Sequence, residues 1–350
     1  FGEKVHIPAI RANSDLHLSG IWHPRESRLT EASKLHEVKA YSNWEKLLND
    51  KKIDAIVIAT PPEPRFELAL EALKAGKHLL LEKPVALCSE QISELQRVAL
   101  ENKLSVAVNF EYRAVPIFME AKNLLSSGVI GTPWLIRLDW LMSSRANQAR
   151  PWNWYSQKEK GGGVIGALGT HAFDIIDWLC GPIVNINSLL STSIRKRPAI
   201  NSQDKITVSS EDIALAQIEV LGRENNQSCP GQISLSSVSI EGRGFLLEIY
   251  GSNGSISLSS TNQKDYVHGF NLWCTELNQQ PKPIKPSSNL LFPKTWSDGR
   301  IAAVSRIQGW WSNSIKNQVP IIPGLSEGLF SQRVCDKMKQ SSEIGQKMSI

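Results

Sequence analysis

The chain has 350 residues, 41% of them hydrophobic and 21% charged, and its 39 basic and 34 acidic side chains leave a net charge of +5. That length exceeds what one hydrophobic core serves and predicts two domains, and the ordinary globular composition excludes a disordered or fibrous chain. The slight, dispersed excess of base argues against nucleic acid as a partner, and no apolar run reaches the roughly 18 residues of a membrane span.

Across the first hundred residues, short apolar runs alternate with helical patterns, the signature of βαβ units around a parallel sheet. Residues 16–22 read as a strand and 53–59 as a buried one. Between them a short helix is expected to start at Ser42, with Glu45 at the capping-box spacing. A helix follows over 64–75 and stops at Gly76, then a strand over 78–81, a helix over 89–102 and a strand over 104–108.

Beyond Pro116 the texture changes. One amphipathic helix runs to about residue 127, then strand-like stretches occupy 134–142, 183–193, 206–220, 233–240 and 245–258, interrupted by a helical pattern over 171–179. Helical pattern returns near the C-terminus. The fold class is therefore α/β, with a doubly wound parallel sheet over residues 1–114 and an α+β domain with a large, mostly antiparallel open sheet over 115–350. Arg195-Lys196-Arg197-Pro198 and residues 279–289 read as solvated loops, and the five separated cysteines, with no C-x-x-C pair, read as free thiols in a reducing, cytoplasmic setting.

Two strand ends carry candidate chemistry, because open α/β sheets place ligands beyond the carboxyl ends of their strands. One strand breaks at Thr60-Pro61-Pro62, which equally suits a turn opening the next helix. The other ends in Glu82-Lys83-Pro84, where the residue before proline is held extended and the loop can fix where the ammonium points. On these residues alone a surface lysine at a strand end is the better reading of Lys83.

The sequence Gly76-Lys77-His78 followed by Glu82-Lys83-Pro84 resembles the signature of the glucose-fructose oxidoreductase and inositol dehydrogenase (Gfo/Idh/MocA) family. The resemblance extends upstream to His6-Ile7-Pro8-Ala9-Ile10 and Thr60-Pro61-Pro62. Downstream it takes in Tyr112-Arg113, Pro116, Gly161-Gly162-Gly163, Gly169, His171, Asp174 and the stretch from Glu248 to Gly254. It implies an NAD(P)-dependent oxidoreductase acting on a sugar, polyol or related hydroxy or oxo compound, homodimeric or homotetrameric through its sheet face. Lys83 would stabilise oxyanion charge and His171 would handle the hydroxyl proton. Gly2, Thr60, Pro61, Glu82 and Lys83 would meet the cofactor.

Three departures from the family pattern matter. Ala167 stands where the resemblance implies an aspartate, four residues before His171, with Asp174 the nearby partial substitute. That loss also admits a catalytically inactive, nucleotide-sensing member of the fold. Of the glycine fingerprint only Gly2 is present, so the first domain is expected to be N-terminally incomplete. After Trp22 the acidic residue that would bind ribose hydroxyls is replaced by His23, with Arg25 beside it, a pair suited to a 2′-phosphate, so NADP(H) is expected over NAD(H). Arg145, Trp152 and Tyr155, with His171 and Asp174, are the candidate substrate contacts, though for any one tryptophan packing between domains is the better reading. His171, Asp174 and Asp177 lack a further matched ligand set, so no metal is expected.

Overall fold

The structure, a computed structural model, describes residues 1–200, 202, 204–222 and 227–350. A π-helical turn at Gly2–His6 leads into α1 (Ile7–Ala12), followed by β1 (Gly20–Ile21), α2 (Glu26–His36), β2 (Lys39–Ala40) and α3 (Trp44–Leu48). Then come β3 (Ala55–Ile58), α4 (Pro62–Lys74), β4 (His78–Leu81), α5 (Ser89–Glu101) and β5 (Val106–Val108). The last three strands form a parallel sheet, while β1 and β2 pair in parallel beside it. Leu79, Leu80 and Leu81 are wholly buried, which is why β4 is continuously apolar rather than alternating.

Three local expectations change here. The strand over 16–22 contracts to two residues. Helix α2 escaped notice because Leu29 alone is buried along it, leaving no apolar period to read. The cap of α3 is Asn43, not Ser42: its side chain accepts the Lys46 N–H at 2.8 Å from an extended backbone.

The second domain begins with α6 (Pro116–Ser126), β6 (Pro133–Leu141), α7 (Thr170–Leu179) and β7 (Ile183–Ser191). A two-stranded ribbon of β8 (Lys196–Pro198) and β9 (Lys205–Thr207) precedes β10 (Ile213–Leu221), β11 (Ser228–Ser236), β12 (Gly244–Gly251) and β13 (Gly254–Ser260). After β14 (Asn271–Glu276) and β15 (Lys282–Ile284), the chain closes with α8 (Arg300–Asn317), α9 (Leu325–Ile344) and β16 (Met348–Ser349). Nine strands join in the order β15-β14-β13-β12-β6-β11-β10-β7-β16, antiparallel except for the parallel pair β6–β11. One face, carrying Ile136, Leu138, Ile233, Leu235, Leu247 and Ile249, is buried beneath helices.

Several boundaries differ from expectation for identifiable reasons. The stretch 206–220 is broken where the Asp212 carboxylate accepts the N–H groups of Ser193 and Ile194 at 2.8 and 2.9 Å. The stretch 245–258 folds back as a hairpin around Ser252 and Asn253. Residues 282–284 form an edge strand rather than loop, where Pro283 costs no inward hydrogen bond. Arg197 is not solvated: it is buried on β8, donating to the carbonyls of Arg145 and Asn147 at 2.6 and 2.9 Å.

Candidate active site

The parallel register aligns Ile58 with Leu81 and Leu81 with Val108, so the residues leaving β3, β4 and β5 emerge along one edge. Buried Arg65, on the first turns of α4, ties these ends together by donating to the carbonyls of Thr60, Glu82 and Pro84. Its guanidinium is lowered to about 10 by burial, against the opposing charge of Glu82. Glu82 Oε1 accepts from His6 Nε2 and from Asn109 Nδ2, both at 2.8 Å. Burial alone would raise this carboxyl, but the bond and charge of His6 and the charges of Arg65 and Lys83 outweigh it and hold it below its ordinary range. The loop that presents Lys83 is therefore anchored from both sides, and its Lys83-Pro84 bond is cis.

Lys83 crosses to the second domain, donating from Nζ to the carbonyl of Ala167 at 2.7 Å. Desolvation pulls its ammonium below the ordinary lysine value, with Glu111 and Glu82 opposing. Ala167 lies in a π-helical turn, Ile165–Gly169, that leads directly into α7. The turn is fixed by Glu211, whose Oε1 accepts the Ile165 N–H at 2.9 Å. Gly163, at φ +100°, leaves that carboxylate the space a Cβ would fill.

His171, in the first turn of α7, is 4% exposed and set among Tyr112, Phe110 and Trp140, with ring centroids 5.0, 5.9 and 6.2 Å away. Burial, then the charge of Lys83, holds its imidazole well below its usual value, so it rests neutral near pH 7. Its Nε2 faces Glu111 Oε2 at 3.8 Å. Glu111 occupies the 3-10 turn that follows β5, and its other oxygen accepts from Tyr266 Oη at 3.3 Å. Burial, then Glu82, raises its carboxyl to about 7, with Lys83 opposing.

Asp174 does not replace the carboxylate missing at position 167. It is 2% exposed and engaged by Arg113, whose Nε donates to its two oxygens at 3.1 and 2.9 Å and whose Nη2 donates at 2.7 Å. Burial works to lower the Arg113 guanidinium, but the charge and hydrogen bonds of Asp174 outweigh it and raise it, and the pair joins the turn bearing Glu111 to the helix bearing His171. The Arg145 guanidinium lies 3.8 Å above the Tyr155 ring, and Trp152 Nε1 donates to the Thr207 carbonyl at 3.0 Å. The Tyr155 carbonyl accepts from Gly163 N–H at 3.1 Å, so this wall adjoins the glycine run, with Gly163 and Thr207, rather than Lys83 or His171, among its polar partners.

At the other end of the edge, Thr60 Oγ1 is shielded from solvent and without a hydrogen-bond partner among the described residues. A Cβ on Gly2 would lie 3.3 Å from the Ala59 side chain, so the helical turn starting there approaches β3 closely. Pro61 is exposed. His23 Nδ1 accepts the Arg25 N–H at 2.9 Å, and Arg25 is exposed, whereas Arg28 is paired with Glu31 at 2.7 Å. An orphaned hydroxyl, a closely approaching helix start and an exposed guanidinium fit a dinucleotide phosphate chain.

Comparison with known proteins agrees with this geometry. Residues 1–110 match the oxidoreductase family with NAD-binding Rossmann fold, and residues 122–350 match its C-terminal alpha/beta domain. The chain belongs to the Gfo/Idh/MocA oxidoreductase family. An uncharacterized oxidoreductase of Synechocystis sp. is 39% identical over 98% of this chain and 92% of its own length. Levoglucosan dehydrogenase of Pseudarthrobacter phenanthrenivorans is 33% identical over 45% of this chain and 40% of its own. Among solved structures, an oxidoreductase domain protein from Kribbella flavida superposes with a TM-score of 0.89 at 22% identity, covering 100% of this chain and 96% of that one. At that identity the likeness speaks to the fold alone.

Within this Gfo/Idh/MocA oxidoreductase, sequence reasoning missed four residues of the site: Arg65, Asn109, Glu111 and Glu211. Only Glu111 carried a signal, lying next to the quoted Tyr112-Arg113 at a strand end. Arg65, Asn109 and Glu211 each act through a pairing that the sequence does not mark, with Glu82 at 17 and 27 positions and with Ile165 at 46. No helix among the described residues is long and apolar enough to cross a membrane, and among them no group of three or more His, Cys, Asp or Glu could hold a metal ion.

Proposed function

We infer that the chain is a dehydrogenase acting on the CH–OH group of a sugar, polyol or related small compound, with NADP(H) favoured over NAD(H). The observation that carries this reading is the Lys83–Ala167 contact, which sets a lysine of the first domain beside the loop leading to His171. Support for the substrate class comes from relatives named levoglucosan dehydrogenase, D-xylose dehydrogenase and glucose-6-phosphate 3-dehydrogenase. In this reading residues 1–114 hold the dinucleotide and 115–350 the substrate. The helix start at Gly2, with Thr60 and Pro61, would hold the phosphates, Glu82 and Lys83 would border the nicotinamide, and His23 and Arg25 would receive the 2′-phosphate.

The bound nicotinamide supplies the acceptor or donor of one hydride. The chain supplies the rest. Lys83 places its ammonium where charge develops on the substrate oxygen, and a lysine with lowered affinity for its proton is a stronger hydrogen-bond donor. His171, kept neutral by burial, accepts the hydroxyl proton. Arg145, Trp152 and Tyr155 form the outer wall of the substrate site, and Asp174 acts through Arg113 by fixing α7.

Paired NADPH and NADH titrations followed by a sugar and polyol panel test the reading. We expect tighter NADPH binding, turnover of at least one panel member, and a loss of roughly 10²–10⁴-fold in kcat for Lys83→Ala with dinucleotide binding retained. Undiminished turnover by that variant removes Lys83 from the chemistry. Ala167 favours a second reading, a nucleotide-sensing protein, and dinucleotide binding without turnover across the panel is its outcome. We further assign the protein to the cytoplasm, a reading supported by five cysteines of which none is in a disulfide. Exposed Trp134, Leu135, Leu215 and Trp273 on the sheet support a homodimer or homotetramer. Cell fractionation and sedimentation read these two points directly.

A further inference from the structure

We propose that Glu111 is the proton store of this site, receiving through His171 the proton that the substrate hydroxyl gives up. The proposal rests on the dehydrogenase reading and adds to it a residue at the end of β5.

Geometry carries the argument. Glu111 Oε2 is buried, has no hydrogen-bond partner among the described residues, and lies 3.8 Å from His171 Nε2. Its other oxygen is held by Tyr266 Oη. A carboxylate is rarely removed from water with one oxygen unpaired, and the nearest basic atom is the histidine nitrogen. The pair is held in register by a second one: Arg113, two residues along the same turn, grips Asp174, three residues along α7 from His171.

The proton balance closes with these groups alone. With a bound nicotinamide as the hydride acceptor, the hydroxyl proton would bond to His171 Nδ1, the ring nitrogen not facing Glu111 Oε2. The Nε2 proton then passes to Glu111 Oε2, the imidazole is neutral again, and the carboxyl later releases its proton to water. Reduction runs the same path in reverse. The groups acting on Glu111 are Glu82 and Lys83 from the loop after β4, His171 from α7, its neighbour Tyr112, Tyr266 from the loop before β14, and Arg300 from α8. Burial, then Glu82, raises the carboxyl to about 7 against Lys83 and Tyr266, while burial and Lys83 push His171 well down, so the carboxyl holds a proton more readily than the ring.

The test compares wild type with Glu111→Gln and Glu111→Asp on a turned-over alcohol. In the wild type, kcat for oxidation is expected to fall as pH drops through about 7, where the store fills. Glu111→Gln loses roughly 10²-fold in kcat and that limb of the profile, with NADPH affinity and thermal unfolding showing an intact fold. Glu111→Asp keeps the limb and recovers part of the rate. A second readout needs no turnover: the ¹³C signal of the Glu111 carboxyl titrates near neutrality. If Glu111→Gln keeps the wild-type rate and profile, or the carboxyl titrates as an ordinary glutamate, the proposal is overturned while the dehydrogenase reading stands. Lack of any turnover by the wild type is the separate failure of that reading.

Discussion

Burial of the Glu111 carboxyl has a thermodynamic consequence apart from catalysis. Its folded-state value of about 7 lies above the 4.5 of an unperturbed glutamate. A carboxyl raised on folding binds its proton more tightly in the native state. Its contribution to stability is therefore full below about 4.5, falls as pH rises towards about 7, and stays lost above that. Glutamine mimics the protonated form and does not titrate. Glu111→Gln is thus expected to unfold at the same temperature as wild type near pH 4.5 and at a higher one at pH 8.5. The gap there is about 3 kcal/mol, or several degrees. Differential scanning calorimetry across pH reads it, and a variant less stable at pH 8.5 would show that the ionised carboxylate has a compensating partner. Lys83 and His171 were legible from the sequence because motif order marks them. For Glu111 the sequence offers only its place beside Tyr112-Arg113, because its meaning comes from a histidine 60 positions away that only folding brings to 3.8 Å.

At the scale of elements, legibility followed the apolar period. β4, α4 and α5 were read within two residues because each buries a strong face. α2 and β15 were not, because one is polar along its length and the other is a three-residue edge strand carrying a proline. The glycine run shows how an element serves the site. A Cβ on Gly163 would overlap the Glu211 carboxylate that holds the Ile165 N–H, and its φ of +100° is one that other residues rarely adopt. Gly163→Ala is expected to cost about 1–3 kcal/mol of stability and to displace the start of α7. Because His171 rides on α7 and the residues proposed to hold the dinucleotide do not, kcat should fall with dinucleotide affinity nearly unchanged. Equal losses in both would place the damage in the fold as a whole rather than in the helix.

At the scale of the molecule, the two domains are not separable at a boundary near residue 114, because α9 serves both cores. Leu325 and Leu329 pack into the first core with Leu81, Val85 and Val108, while Val334, Cys335 and Met338 pack into the second. The segment before α9 also reaches the parallel sheet, where Val108 N–H donates to the Pro323 carbonyl at 3.1 Å. Burying these five side chains contributes on the order of 10 kcal/mol, comparable to the whole stability of a typical domain. A chain ended after Gln318 is therefore expected to lose cooperative unfolding in both halves, the first included, although every strand of the parallel sheet remains. Circular dichroism melts and NADPH titration of that truncated chain test this. Retention of NADPH affinity with a cooperative transition would show that the first domain stands without α9. Loss of both would mean that the helix farthest along the chain from the dinucleotide residues is needed to assemble them, and that Lys83 and His171 are held together by one shared core as well as by their own contacts.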